Sequence, residues 1–240
     1  MPSNILQEND MAGKLIKDTE TPGIVRLHFN DEASAFGGIK KATIKGKGIC
    51  NCRISAIAFK TLKDAGIANH FLEQDGERDL KCTRLKPIPI QLIVRNRLSG
   101  TTARMLGVEN GTRIPNTVFE LRYHCPELRN PMINDHHAVA LGLSSYDELD
   151  RIYDLAAKAN EVLKALFHKA GIELIDLKIE FGKTDSGEIM ISDEISPDNC
   201  RLWDETDGRI LDKDRFRHDM SDVTVSYKEV MNRLIKAAEK

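Results

Sequence analysis

Between Glu173 and Phe181 the chain reads Glu-Leu-Ile-Asp-Leu-Lys-Ile-Glu-Phe, with the alternation of a strand. Ile175, Leu177, Ile179 and Phe181 fall on one face, and Asp176, Lys178 and Glu180 on the other. Charged groups at every second residue over this stretch span about 13 Å, at roughly 3.3 Å per residue. That length suits a substrate and a metal-bound phosphate lying along the strand, and on pattern alone it suits a solvated outer face equally well. The next apolar run, Glu-Ile-Met-Ile-Ser-Asp-Glu, follows a Thr184-Asp185-Ser186-Gly187 turn fit for a hairpin, which returns Asp193 and Glu194 to the stripe. Carboxylates gathered around a lysine repel one another unless a cation and anionic ligands share the site. A magnesium nucleotide meets that need, since Mg²⁺ takes one or two carboxylates together with phosphates.

Two more segments carry candidate chemistry. In Ile-Ser-Pro-Asp-Asn-Cys-Arg-Leu-Trp-Asp, Pro197 ends a strand and Asp198, Asn199, Arg201 and Asp204 gather around the single tryptophan, Trp203. Loops on a rigid scaffold often carry function; the plainer alternative is a turn with a buried Trp anchor. The run Val94–Arg104 passes from strand to helix and offers Arg95, Arg97, Ser99, Thr101 and backbone N–H groups around Gly100, a good phosphate site or else a solvated basic patch. The run Asp212–Arg217 (Asp-Lys-Asp-Arg-Phe-Arg) reads by itself as surface.

The elements that must position these residues are partly visible. Residues 24–29 alternate as a strand, and 47–65 place Ile54, Ile57, Ala58, Leu62 and Ala65 on one helical face ahead of Gly66. Three short apolar stretches between Ile67 and Val94 predict a small, mainly antiparallel sheet, with Pro87 and Pro89 in an extended connector or an edge strand. That connector divides the chain into expected domains at 1–87 and 88–240. A long helix from Tyr146 to Ala170 has Ser145 and Glu148 spaced as a capping box, Gly171 as its stop, and Leu149, Ile152, Ala156, Ala159, Leu163 and Leu166 as its core stripe. A last helix is expected over 225–238.

Composition narrows the function classes. With 240 residues, 41% hydrophobic and 30% charged, the chain can bury a core of its own. A formal net charge of -2 provides no global field for nucleic acid or an anionic membrane. No apolar run approaches the about 18 residues of a membrane span, and the opening Met-Pro-Ser-Asn-Ile-Leu-Gln-Glu-Asn-Asp lacks the basic and apolar regions of a signal peptide. Five scattered cysteines suit reduced thiols, and the expected location is cytoplasmic.

Taken in order, Ala-Phe-Gly-Gly-Ile-Lys-Lys-Ala-Thr-Ile-Lys-Gly-Lys-Gly (35–48), Pro87–Thr101, Asp176–Gly182, Asp193–Asp204 and Asp212–Arg217 resemble the phosphoribosylaminoimidazole-succinocarboxamide synthase (SAICAR synthetase) family. The resemblance implies an α+β fold of two lobes, a small N-terminal antiparallel sheet domain and a larger C-terminal α/β domain, with the nucleotide cleft between them. It implies ligation of L-aspartate to carboxyaminoimidazole ribonucleotide with ATP and Mg²⁺, through an acyl phosphate, in a homo-oligomer such as a dimer. By position, Glu180 and Asp193 would hold Mg²⁺ on the ATP phosphates, with Lys14 on the nucleotide and Lys178 neutralising charge at the reacting carboxylate. Arg95, Thr101, Arg201 and Arg217 would hold the ribonucleotide's phosphate and carboxylate, and Asp176 and Asp198 would orient polar groups.

Several positions depart from the family pattern. Its phosphate-covering Gly-Lys-x-Lys corresponds to Met11-Ala12-Gly13-Lys14 with a residue fewer afterwards, or to Gly13-Lys14 with Lys17 as the second lysine. Its Pro-Ile-Glu is Pro-Ile-Gln at Gln91, its Lys-Asn-Asp is His124-Cys125-Pro126, and its following aspartate is Asn130. Two rival readings stay open on sequence: a small-molecule kinase, and a non-catalytic paralogue that only binds nucleotide.

Overall fold

The computed structural model describes residues 9–11, 13–35 and 38–239; Ala12, Phe36 and Gly37 of the segments above lie outside the described residues. The chain opens with strands β1 (Asn9–Met11), β2 (Lys14–Asp18) and β3 (Ile24–Phe29), followed by a separate hairpin of β4 (Glu32–Ala35) and β5 (Lys40–Thr43). Helix α1 (Lys47–Asp64) precedes β6 (Phe71–Gln74) and β7 (Asp79–Thr83), which complete an antiparallel sheet of order β1-β2-β3-β7-β6. The buried face of β3, with Val25, Leu27 and Phe29, packs on α1 through Ile54, Ala58 and Leu62. Ala65, expected on that face, is instead the exposed C-cap, and Gly66 in the left-handed region ends the helix.

A second antiparallel sheet begins with the long strand β8 (Lys86–Leu98), which leads into the short helix α2 (Gly100–Met105) and β9 (Thr112–Tyr123). After α3 (Asp135–Ala140) and α4 (Tyr146–Lys169), the strands β10 (Ile172–Lys183), β11 (Ile189–Ser192) and β12 (Cys200–Asp204) close it in the order β11-β10-β8-β9, with β12 also on β10. Helices α5 (Asp214–Arg217) and α6 (Val223–Ala238) finish the fold, α6 packing on α1 and α4. The third apolar stretch of the 67–94 region therefore does not join the first sheet but founds the second. Pro87 and Pro89 lie inside β8, at the end where, among the described residues, β10 is its only ladder partner and the register shifts between Glu180 and Phe181. Pro87 pairs with Gly182 next to an edge that β9 does not cover, and Pro89 falls in the shift, where it has no partner on β10.

Helix α4 follows its sequence signals closely. Ser145 accepts from the Glu148 N–H, the Glu148 carboxylate accepts from the Ser145 N–H, and the predicted stripe is buried. That stripe covers β10 within one apolar core running through both sheets. The sheets are joined where His70 N–H donates to Ile191 O at 2.9 Å and Ile191 N–H donates to Ala68 O at 3.1 Å.

Candidate active site

One edge of β10 is shared in tandem, β12 pairing with residues 172–177 and β11 with residues 180–183. The gap between them falls at Lys178, whose N–H donates to Asn199 O at 2.8 Å. The segment joining β11 to β12 leaves the sheet at this gap and carries Asp193, Glu194 and Asp198 to the side of Lys178. Asp193 takes a left-handed backbone (φ 67), a conformation that Asp tolerates better than most residues. The charged face of β10 is thus an inner wall, with Asp176, Glu180, Asp193 and Glu194 all buried.

Buried charges persist only when paired, and here they form adjoining clusters. In the first, Lys178 bonds Glu180 Oε1 and Asp193 Oδ2, while Lys14 bonds Asp193 Oδ1 and approaches Glu194 Oε1 at 2.8 Å. Gln91 adds an N–H to Glu180 Oε1 at 2.8 Å. Burial alone would lower the pKa of Lys14 and of Lys178, but Asp193 and its neighbouring carboxylates outweigh it and hold both ammonium groups above their usual range. Conversely, burial would raise Asp193, and the two lysines hold it below the usual carboxylate range.

A second cluster surrounds Asp176, which accepts from Arg95 at 2.7 Å, Arg201 at 2.9 Å and Ser99 at 2.9 Å. Arg95 also bonds Glu120, and Arg201 reaches Asp214, which in turn bonds Arg217. Gly100, at φ 60, lacks the Cβ that would stand 2.6 Å from the Arg201 guanidinium, so this close approach requires glycine. The third cluster centres on Asp198, bonded by Lys47 at 2.7 Å and Tyr227 at 2.7 Å, with Lys213 at 4.0 Å. Gly13 (φ 90) stands beside Lys47, whose Nζ is 3.0 Å from where a Cβ would project. Burial would raise Asp198, but Lys213 and Lys47 hold it low; burial lowers Lys213 even with Asp198 opposing.

Lys14, Arg95, Thr101, Asp176, Lys178, Asp198, Arg201 and Arg217 line one cavity of about 520 Å³, walled by seven cationic and three anionic side chains. Glu180 and Asp193 line its neighbour, a cavity of about 310 Å³ bounded by Ile16, Val25, Leu27, Ile88 and Phe181. The Gln91–Glu180 and Lys14–Asp193 contacts form the partition. His70, on the apolar side, is lowered to about 4 by burial and is neutral near pH 7.

Some expectations fail here. The Asp212–Arg217 run is not surface: Asp212, Lys213, Asp214 and Arg215 are buried, Asp214 against Arg201, Lys213 facing Asp198, and Asp212 accepting from the Leu202 and Asp214 N–H groups. Arg215 donates to Ser221 O and Ile210 O. Asp204 and Trp203 do not sit with Asp198 and Arg201. Asp204 binds Arg233 and Arg209, while Trp203 packs on Gly111 with Arg97 above its ring at 5.8 Å. Arg97 pairs with Glu173 and stays outside the cavity. Lys17 lines neither cavity, and the buried lysine beside Gly13 is Lys47, which bonds Asp198. Lys47, Lys213 and Glu120 join the site without having been singled out by residue type and spacing; of the three, Glu120 alternates with Phe119 and Leu121 along β9.

Among the described residues no group of three or more His, Cys, Asp or Glu side chains could hold a metal ion. The arrangement nonetheless fits Mg²⁺, for Glu180 and Asp193 already converge on one cation, the Lys178 ammonium, and Mg²⁺ completes its shell with phosphate and water rather than with a full protein cage.

A cation-rich cavity partitioned by paired carboxylates from an apolar one, on the two antiparallel sheets of an α+β fold, is the site that this chain presents, and comparison with known proteins gives its family. The family model described as SAICAR synthetase matches residues 12–234. The phosphoribosylaminoimidazole-succinocarboxamide synthase of Fusobacterium nucleatum is 48% identical over 221 residues, 92% of this chain and 93% of that protein. Among solved structures, the synthase of Ehrlichia chaffeensis superposes with a TM-score of 0.93 at 36% identity, covering 95% of this chain and 98% of that one. A SAICAR synthetase in complex with ADP superposes with a TM-score of 0.92 at 41% identity, covering 95% and 97%. The chain belongs to the SAICAR synthetase family. It is an enzyme, a ligase of purine biosynthesis.

Proposed function

We propose that this ligase joins L-aspartate to carboxyaminoimidazole ribonucleotide, converting ATP to ADP and phosphate. The observation that carries the reading is the meeting of Lys14, Lys178, Glu180 and Asp193 between a cation-rich cavity and an apolar one. A nucleotide base suits the apolar cavity, and the phosphates then lie at the partition. Glu180 and Asp193 would hold Mg²⁺ there; when bound, it supplies neutralisation of phosphate charge. The first 87 residues serve in this reading as the lobe over the nucleotide, and residues 88–240 as the lobe that holds substrate and metal.

Arg95, Arg201 and Arg217, with Thr101 at the rim, hold the ribonucleotide's phosphate and carboxylate; Asp176 fixes the direction of Arg95 and Arg201, and Asp198 that of Lys47. A carboxylate is a poor electrophile. Its oxygen therefore takes the γ-phosphoryl group, releasing ADP and leaving an acyl phosphate. The aspartate amine then attacks the acyl carbon, loses a proton and expels phosphate. Lys178 and Lys14, held protonated by their carboxylates, supply positive charge where it accumulates, so catalysis is mostly positioning and electrostatics. The close relation to a protein solved with ADP supports the nucleotide part.

The test is ADP release from purified protein with Mg-ATP and the carboxylated ribonucleotide, with and without L-aspartate. Release that requires all three is expected. Release that ignores aspartate would replace the ligase with a kinase, and nucleotide binding without turnover would point to a binding paralogue.

A further inference from the structure

We propose that Gln91 is a positioning residue for the cation–nucleotide site, its side-chain amide fixing Glu180 so that one carboxylate oxygen stays free for a divalent ion. The proposal rests on the reading of Glu180 as a cation ligand given above. Strand register sets Gln91 directly opposite Glu180, in the last regular pair before β8 bulges: the next residue of β10, Phe181, pairs with Ile88. Neither side chain of that pair has much room, since Gln91 is 6% exposed and Glu180 9%.

The two oxygens of Glu180 are unequally used. Oε1 takes the Gln91 N–H at 2.8 Å and the Lys178 ammonium, whereas among the described residues Oε2 has only His124 Nδ1 at 3.6 Å, beyond hydrogen-bond reach. Facing an ionised carboxylate, the Gln91 amide must present its NH₂ end, so its orientation follows from the chemistry of its partner. A glutamate at position 91 could not donate when ionised and would add a like charge against Glu180. The amide instead holds Glu180 without adding charge. A cation here meets one carboxylate fewer than it would with glutamate, but that carboxylate is held by two donors.

Two substitutions of nearly equal volume separate this role from packing. Gln91→Met keeps the shape and removes the donor; Gln91→Glu keeps the shape and replaces the donor with a negative charge. The readout is the rise in melting temperature on adding Mn²⁺ with ADP, measured with calorimetric titration of Mn²⁺ into the ADP-loaded protein. Relative to wild type, the rise should shrink in Gln91→Met, with Mn²⁺ affinity falling about tenfold for the loss of one charge-assisted hydrogen bond. In Gln91→Glu the rise should grow, because the added ion relieves a carboxylate repulsion. Equal Mn²⁺-induced shifts in all three proteins, whatever their melting temperatures without the ion, would overturn the proposal. A wild-type protein that takes up no Mn²⁺ with ADP would instead overturn the reading of Glu180 itself.

Discussion

Lys14 and Lys178 share Asp193, and each has a further carboxylate, Glu194 for the first and Glu180 for the second. Loss of Asp193 therefore leaves each lysine a carboxylate, whereas loss of Lys178 leaves buried Glu180 without its lysine. Lys178→Ala and Asp193→Asn should both keep the wild-type circular dichroism spectrum with a lowered melting temperature, while turnover measured below that temperature falls about a hundredfold or more. Full activity in either variant would take that residue out of the chemistry. These residues were legible because strand alternation and a hairpin turn are local signals. Lys47 was not, because what distinguishes it from a surface lysine is Asp198, which lies 151 positions away in the chain. The same holds for Lys213, whose run of neighbouring charges reads as solvated until partners from other segments are in place.

Elements divide along the same line between local and distant causes. Helix α4 carries its start, stop and buried face in its own sequence, so its capping should be separable from the site. Ser145→Ala removes the acceptor for the Glu148 N–H and should cost about 1 kcal/mol, lowering the melting temperature by about 2–4 °C with KM values unchanged. An unchanged melting temperature would mean that the Glu148 contacts with Ser144 and Lys183 hold the helix end alone. Strand β8 is the opposite case. Only two residues separate it from β7, a spacing that suggests a hairpin within one sheet, yet its partners are β10 and β9. Pairing across such separations is decided by which faces can be buried together, and a single stretch of sequence does not contain that information.

At the scale of the whole molecule, buried carboxylates set opposite limits on stability. Asp212 is raised to about 7 by burial and by Asp214, while its oxygens accept from the N–H groups of Leu202 and Asp214. Its folded pKa lies above the unfolded value of 3.8, so its contribution is fully present below that value and is lost as pH rises towards and through 7. Asp193 and Asp198 are held low against their burial by lysines, so their contribution is present above the unfolded value and is lost as pH falls below it. The melting temperature should therefore peak on the mildly acidic side and decline by about a few degrees towards pH 8, and Asp212→Asn should flatten that decline. A wild-type profile level from pH 5 to 8 would show that Asp212 does not titrate in this window. The cavity has a related consequence. Arg95, Arg201 and Arg217 meet an incoming anion already neutralised by Asp176, Glu120 and Asp214, like an ion-exchange resin loaded with its own counter-ions. A singly charged salt ion gains little by displacing such partners, whereas a ligand bearing phosphate and carboxylate together can exchange with several at once, so the site selects for charge multiplicity before it selects for shape.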